Sequence, residues 1–354
     1  MLRPNLDVAS RGLHIVNPLD HPDWDSLLVA GEDDSFFHSS AWARVLVESY
    51  RYKPAYFAAF AEGRLSFLMP FMEVDSRLTG KRAVSLPFTD QCRPHERIEG
   101  LFPEAVQIAI DRGRKEGWRY IDWRDARGFD EGATPSTEFL SHEISLSGSE
   151  QRLFANLGAS NKRGIKRALK EGLSVTVDRS LDSLTSFYRL NGLTRKRHGL
   201  PPQPLLFFKK IFDHVLCRDL GTIVSAFYSG ERIAAAVFFH FGARAIYKYS
   251  ASDRAYQRLR PNNLVLWEAL RWYREKGLES MNLGRTAPDH EGLLRFKRLW
   301  GGQESAVRYY RYDLRRSAFV RHSFEMSPII KKVFTHIPIP ISRLAGRWLS
   351  RHMG

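Results

Sequence analysis

Arg114-Lys115-Glu116-Gly117-Trp118-Arg119-Tyr120-Ile121-Asp122 and Arg274-Glu275-Lys276-Gly277-Leu278-Glu279-Ser280-Met281-Asn282 read alike: a charged helix end, a glycine stop, then a strand. A glycine just past the last helical residue accepts the left-handed backbone that closes a helix. The order upstream of each copy is also the same. In the first half, residues 55–61 and 65–74 read as strands joined by Glu62-Gly63-Arg64, and 83–88 as a third strand. A helix over 103–115 and a strand over 120–124 follow. In the second half, 222–228 and 233–241 are strands joined by Ser229-Gly230-Glu231-Arg232, and 245–250 is the third. A helix starting at Pro261 and a strand over 280–283 complete the copy, proline being well suited to a first helical position.

Two copies of hairpin, strand, helix and strand predict an α+β fold of two tandem domains, each a mostly antiparallel sheet flanked by helices. The boundaries are set at 1–148 for the first domain, 149–316 for the second with a basic entry segment, and 317–354 for an amphipathic tail. An additional helix over 40–48 opens the first half, with Trp42, Val45 and Leu46 at helical spacing.

The chain has 354 residues, which suits two domains. A hydrophobic fraction of 43% with 26% charged residues is that of a folded globular chain. Its net charge of +15 favours anionic partners. Cys92 and Cys217 are the only cysteines, so neither a disulfide framework nor a cysteine zinc site is expected. There is no HExxH, phosphate-cradling P-loop or dinucleotide glycine fingerprint, which argues against metal, ATP and hydride chemistry. Residues 1–16 lack the apolar core of a signal peptide and no stretch reaches membrane-span length, so a cytoplasmic protein is expected.

Three regions carry candidate chemistry. Lys162, Arg163, Lys166, Arg167 and Lys170 crowd one helical surface, with Ile165 and Leu169 toward the core. Like charges three and four residues apart repel, and a phosphate would relieve them. In Gly292-Leu293-Leu294-Arg295-Phe296-Lys297-Arg298-Leu299-Trp300, Lys297 falls inside the apolar arc, where an amine must snorkel, lose its proton or meet an anion. In Tyr247-Lys248-Tyr249-Ser250-Ala251-Ser252-Asp253, alternation places both tyrosines on one face, with Ser252 and Asp253 at the strand end either to orient an amine or take its proton, or as a helix-capping loop beside a tyrosine pair packed over the sheet. Asp90, in the corresponding loop of the first half, is either a general base or a turn former.

These pieces, in order, resemble the Fem-type aminoacyltransferases and related GNAT-like acyltransferases. The resemblance rests on His38-Ser39-Ser40-Ala41-Trp42, Ser85-Leu86-Pro87-Phe88-Thr89-Asp90, and the basic run ending Lys170-Glu171-Gly172-Leu173. It continues through Thr194-Arg195-Lys196-Arg197-His198-Gly199-Leu200-Pro201, Tyr249-Ser250-Ala251-Ser252-Asp253, Asn263-Leu264 and Gly292 to Gly301. It implies two GNAT-like domains and transfer of an activated acyl or aminoacyl group to an amine of a peptidoglycan or polysaccharide precursor. It implies no resident cofactor, the donor being aminoacyl-tRNA or acyl-CoA. The partner would be a phosphorylated or lipid-linked precursor. Lys297 and either Arg163 or Arg167 would hold precursor phosphates, and Asp90 would assist the attacking amine. Catalytic candidates are thus Asp90, Tyr249, Ser252 and Lys297. Substrate-binding candidates are Trp42, Arg163, Arg167, Asp253, Asn263 and Arg285.

Two departures bear on the donor. No long heptad insertion of the kind that tRNA-using members often carry is visible. The place of the glycine-rich pyrophosphate loop reads Gln257-Arg258-Leu259-Arg260-Pro261-Asn262-Asn263, without glycine and with a proline that removes an amide donor. Alternatives are an acyl-CoA-dependent N-acyltransferase of exopolysaccharide amino sugars and a non-catalytic nucleic-acid-binding or scaffold protein. The basic run lacks the interleaved aromatics that stack on single strands. The tail interleaves Ile329, Ile330, Val333, Ile341, Leu344 and Trp348 with Lys331, Lys332, Arg343 and Arg347, a pattern for peripheral contact with the inner membrane face or for packing on the body.

Overall fold

The computed structural model describes residues 12–30, 35–97, 99–126, 128–129, 132–322 and 327–352. The leading part of the segment read for a signal peptide, 1–11, therefore lies outside the described residues. Two compact units emerge: Met1–Thr137 with Arg308–Ser323, and Glu138–Val307 with Phe324–Met353. The chain thus returns to the first unit late, and position 148 falls inside the second. Among the described residues no helix is long and apolar enough to cross a membrane.

In the first unit the hairpin Tyr56–Ala61 and Arg64–Met69 turns through Glu62 at φ 52° and Gly63 at φ 71°. Two successive left-handed residues make the turn whose twist matches a hairpin. Strand His14–Val16 pairs with one side of this hairpin and His95–Glu96 with the other. A second sheet of the unit joins Lys53–Pro54, Met72–Val74, Arg82–Val84 and Tyr120–Arg124, and Tyr120–Arg124 pairs in turn with residues 309–313. Helix Leu101–Glu116 ends at Gly117, φ 71°, and packs Ala105 and Ala109 in a core with Phe57, Phe67, Phe71, Ile121 and Trp123.

The second unit repeats the plan in one sheet, in the order Ser174–Asp178, Gly221–Tyr228, Glu231–Phe241, Arg244–Ser252, Ser280–Thr286 and Thr137–Ser145. Its hairpin turns through Ser229 at φ 50° and Gly230 at φ 80°, the same turn as in the first unit. In both units the strand before the long helix runs parallel to the strand after it, while the other pairs just named are antiparallel. Helix Pro261–Glu275 buries Leu264, Leu266, Trp267, Leu270 and Tyr273 against Val224, Ala236 and Phe238. The basic helix Ala159–Lys170 packs Ile165 and Ala168 into this same core.

Core positions on the basic helix differ from expectation at one residue. Leu169 is 54% exposed, and Asn161, Gly164, Ile165 and Ala168 form the buried face instead. A small residue suits that face: a Cβ on Gly164 would approach the Asn263 amide to 3.0–3.2 Å, so that side chain would have to give way slightly.

Candidate active site

Strand Arg244–Ser252 stays in parallel register with Ser280–Thr286 only from Arg244↔Ser280 to Ile246↔Asn282. Beyond that pair both strands are irregular. On the first, Phe238 of the neighbouring strand faces Tyr247 and Val237 faces Tyr249, so Lys248 is bulged out of the ladder. On the second, the register with Thr137–Ser145 breaks between Asn282 and Arg285, where Gly284 takes φ 73°. Asn282 Oδ1 accepts from the Gly284 amide at 2.7 Å and fixes this kink. A bulge bends its strand and increases local twist. The two irregularities coincide with the end of the parallel register at Ile246↔Asn282.

The bulge at Lys248 corrects the expected tyrosine pair. It places Tyr247 against Phe238, whereas Tyr249 packs against Phe239, Phe207 and Phe208. Phe238 and Phe239 are successive residues of one strand, so the tyrosines lie on opposite faces of the sheet. Arg195, near Tyr249, donates from Nε and an Nη to Pro201 O at 3.2 and 3.0 Å. Burial pushes this guanidinium down to about 10, with the Tyr249 side chain opposing.

Lys297 is buried, 4% exposed, on helix Glu291–Arg298. Its Nζ donates to Gly284 O at 2.7 Å and Arg285 O at 3.2 Å. An amine inside an apolar arc has thus met two main-chain carbonyls on the kinked strand. The Arg285 guanidinium stacks 4.1 Å from the Phe139 ring centre.

Sequence reasoning missed His142. It is fully buried on Thr137–Ser145, and its Nε2 lies 3.0 Å from Glu304 Oε2. Glu304 is held below the usual carboxylate range chiefly by hydrogen bonds from Arg298. Burial lowers the His142 pKa, with Glu304 opposing and Lys297 adding to the shift. A lone histidine inside a strand carries no spacing signal. Only the fold shows its proximity to Lys297.

At the other strand end, Ser252 is buried, and its Oγ accepts from Asn262 Nδ2 at 3.2 Å. Its backbone amide donates to Thr194 Oγ1 at 3.2 Å. Asn263 Nδ2 donates to Asn161 Oδ1 at 3.0 Å and ties the start of the Pro261 helix to the basic helix. The amide of Gly158, which precedes the basic helix, donates to Leu299 O at 2.8 Å, just past the Lys297 helix. Asp253 caps the turn Arg254–Leu259 by accepting from Ala255 N at 2.9 Å.

Arg163, Lys166, Arg167 and Lys170 are exposed along the basic helix. Arg167 Nε lies 3.6 Å from Glu171 Oε1. Lys162 departs from the expected stripe, because its Nζ donates to Ala155 O at 2.7 Å. The structure therefore links Asn263 to the helix bearing Arg163 and Arg167, with Ser252 held by the neighbouring Asn262, and seats Lys297 on the Gly284-Arg285 kink.

Two candidates belong to the first unit. Asp90 is half-buried, and its carbonyl accepts from Tyr309 Oη at 2.7 Å. Its loop contains Leu86 at φ 50° and Phe88 at φ 62°. Left-handed backbone is costly for such side chains and persists only when the surroundings enforce it. Buried Arg124 supplies that, donating to Leu86 O at 3.3 Å and Thr89 O at 3.2 Å. Trp42, expected at the substrate, is instead 0% exposed and packs against Phe36 and Phe37. Its indole serves the core because Ser39 caps a helix whose inner face is apolar.

The acetyltransferase (GNAT) domain family matches residues 158–298, which span the basic helix, the opened strand pair and Lys297. The match places a GNAT-type acetyltransferase domain in the second unit. Among curated proteins, the lipid II:glycine glycyltransferase of Staphylococcus haemolyticus is 30% identical over 89 residues, 23% of this chain and 21% of that protein. The Staphylococcus aureus protein of the same name is 28% identical over 92 residues, 24% and 22% of the two chains. The matched stretch spans about a fifth of these relatives' own length. The crystal structure of FemX superposes with a TM-score of 0.64 at 14% identity, over 84% of this chain and 96% of its own. A tandem GNAT protein from the clavulanic acid biosynthesis pathway gives 0.51 at 11%, over 86% and 98%. The chain thus carries a match to a GNAT-type acetyltransferase domain over residues 158–298, in a fold similar to those of FemX and the tandem GNAT protein.

Proposed function

We propose that this protein transfers an aminoacyl group from an activated ester to an amine of a lipid-linked peptidoglycan precursor at the cytoplasmic side of the membrane. The observation that carries the reading is the opened strand pair inside a GNAT-type domain whose curated relatives are named lipid II:glycine glycyltransferase. Where the strands part, the chain around the Lys248 bulge would line the acyl group as its carbonyl oxygen becomes an oxyanion. The acceptor nitrogen attacks that carbon. A C–N bond forms, the ester C–O bond breaks, and the nitrogen's proton passes to a base while the leaving oxygen gains one. Asp90, the base that the family resemblance offers, belongs to the first unit, and Asp90→Asn tests that role by its effect on turnover.

In this reading Arg163 and Arg167 bind phosphates, because their guanidinium groups are exposed on a helix pinned at Gly158 and Asn161. Asn263 ties that helix to the start of the Pro261 helix, whose Asn262 reaches Ser252 at the strand end beside Asp253, while Tyr249 lies on the opposite face of the sheet. Lys297 and Arg285 hold the kinked strand that forms the other edge. The aminoacyl donor is favoured over acyl-CoA by the start of the Pro261 helix. Arg260 is left-handed there, Pro261 lacks an amide proton, and the Asn263 backbone amide donates to Arg260 O at 3.1 Å, which leaves a poor cradle for a pyrophosphate.

The test supplies purified protein with an aminoacyl-tRNA pool, an acyl-CoA pool and a lipid-linked muropeptide bearing a free amine. Mass spectrometry of the acceptor should show one aminoacyl increment and depletion of a single tRNA species. Arg163→Gln with Arg167→Gln should raise the acceptor KM with little change in melting temperature. Consumption of acyl-CoA instead would replace the donor assignment, and an unmodified acceptor with both pools would refute the reading.

A further inference from the structure

Helices Pro328–His336 and Ile339–Leu349 take no part in the site just described. They are nonetheless held in place. Phe334 and Ser342 are buried, and the Arg343 guanidinium lies 4.7 Å from the Tyr188 ring centre on helix Leu181–Arg197. Gly346 meets the chain at Pro202 so closely that an added Cβ would come within 2.0 Å of its carbonyl oxygen. One face of the pair is therefore fixed inward, and this determines which side chains face outward.

The outward side chains are large and apolar: Ile329 is 77% exposed, Leu344 67% and Trp348 59%, with Ile330, Val333 and Ile341 beside them. Ile341, Leu344 and Trp348 recur at helical spacing on one face, opposite buried Ser342 and Gly346. Six large apolar side chains exposed on two successive helices call for a cover.

Charge identifies the cover. Between Ser327 and His352 there is no aspartate or glutamate, while Lys331, Lys332, Arg343, Arg347 and Arg351 are all basic. Lys332, Arg347 and Arg351 are exposed alongside the apolar residues. Arg347, Arg351 and His352 line a shallow hollow with Leu344 and Trp348. Cations around an amphipathic aromatic suit the phosphate and glycerol level of a phospholipid leaflet, with aliphatic side chains below it. A second copy of this chain would bring the same positive charges together without a counter-charge. We propose that this face docks on an anionic phospholipid bilayer and lets the protein work at the surface where a lipid-linked acceptor resides.

The experiment is flotation of the full chain with phosphatidylglycerol-rich vesicles and with neutral phosphatidylcholine vesicles, read separately from any transfer assay. Wild-type protein should float with the anionic vesicles only and be released by salt. Lys332→Gln, Arg347→Gln and Arg351→Gln together should weaken binding about a hundredfold, at roughly fivefold per basic residue. Ile329→Ser, Leu344→Ser and Trp348→Ser should abolish flotation and leave transfer to a lipid-free acceptor unchanged. Flotation that is equal on both vesicle types, or unaltered in both variants, would overturn the proposal. So would a wild-type dimer, seen by sedimentation without lipid, that the serine variant dissolves. If wild type floats as expected but transfers nothing, the docking face stands and only the transfer reading falls.

Discussion

Asp122-Trp123-Arg124 and Asn282-Leu283-Gly284 occupy the same place in the two repeats, just past the helix and its glycine stop, and they do opposite things. In the first unit the parallel pair stays closed. Past Val84↔Asp122, the Ser85 amide donates to Asp122 O at 2.8 Å, and the Arg124 amide donates to Ser85 Oγ at 2.6 Å. Asp122 accepts a bidentate pair from Arg311 at 2.6 and 2.7 Å, and Arg124 ties down the loop of Asp90. In the second unit the matching residues are an amide and a glycine. Asn282 turns back on Gly284, the strand kinks, and the freed carbonyls go to Lys297. One supersecondary plan thus yields a locked edge in one copy and an opening in the other. The exchange of Asp-x-Arg for Asn-x-Gly at this point accounts for much of the difference.

The largest effect is expected from Asp122→Asn, which gives the first unit the residue of the second. Both partners of the ion pair are nearly buried. Breaking such a pair strands a charge, at a cost of about 3–5 kcal/mol. Denaturant unfolding should show that loss, with faster amide exchange at 120–124, while the affinity of the folded protein for its acyl donor stays as in wild type. A neutral substitution would mean that the ion pair does not lock the strand.

A smaller loss is expected from Lys297→Met, which keeps the bulk and removes the amine. The Gly284 and Arg285 carbonyls then lose a charged donor, worth about 1.5–3 kcal/mol. Exchange should accelerate at 283–286, and turnover should fall along with stability. If Lys297 serves only to bind an anion, stability will be unchanged and only the acceptor KM will rise. The two variants together test whether each unit is held by its own cation.

The repeated plan was legible because its signals are local. Glu62-Gly63 and Ser229-Gly230 need left-handed backbone, and Gly117 and Gly277 stop helices, whatever lies around them. The burial of Lys297 was legible from helical spacing for the same reason. Strand Thr137–Ser145 was not read, since its burial does not alternate cleanly and its partner Ser280–Thr286 lies far along the chain. Neither was the bulge at Lys248, which has no glycine or proline to mark it and arises from register with the neighbouring strand. The same bulge made alternation misleading for Tyr247 and Tyr249. Trp42 shows a different ambiguity, because an aromatic on an amphipathic helix has the same spacing whether it lines a site or fills a core.

The smallest effect concerns pH and sharpens the comparison at one titrating group per unit. His142 is lowered by burial, with Glu304 opposing and Lys297 adding to the shift; His322 is lowered by burial, with Arg311 adding. An unfolded histidine titrates near pH 6.5. With a folded pKa below that value, the unfolded chain takes up the proton first. Stability is therefore complete above about pH 6.5 and is lost as pH falls toward the folded pKa, at about 1.4 kcal/mol per unit of difference. His142 is fully buried whereas His322 is exposed, so solvent discounts the second. Charging His142 would also place a proton on Nδ1, which has no hydrogen-bond partner among the described residues. His198 and His240 of the second unit are lowered by burial too, so the acid loss there is shared. His142→Gln should flatten part of the fall in melting temperature between pH 7 and 5, and His322→Gln should change it much less. An equal effect from both would show that the buried histidine beside Lys297 is no more tightly coupled to its strand than the exposed one beside Arg311.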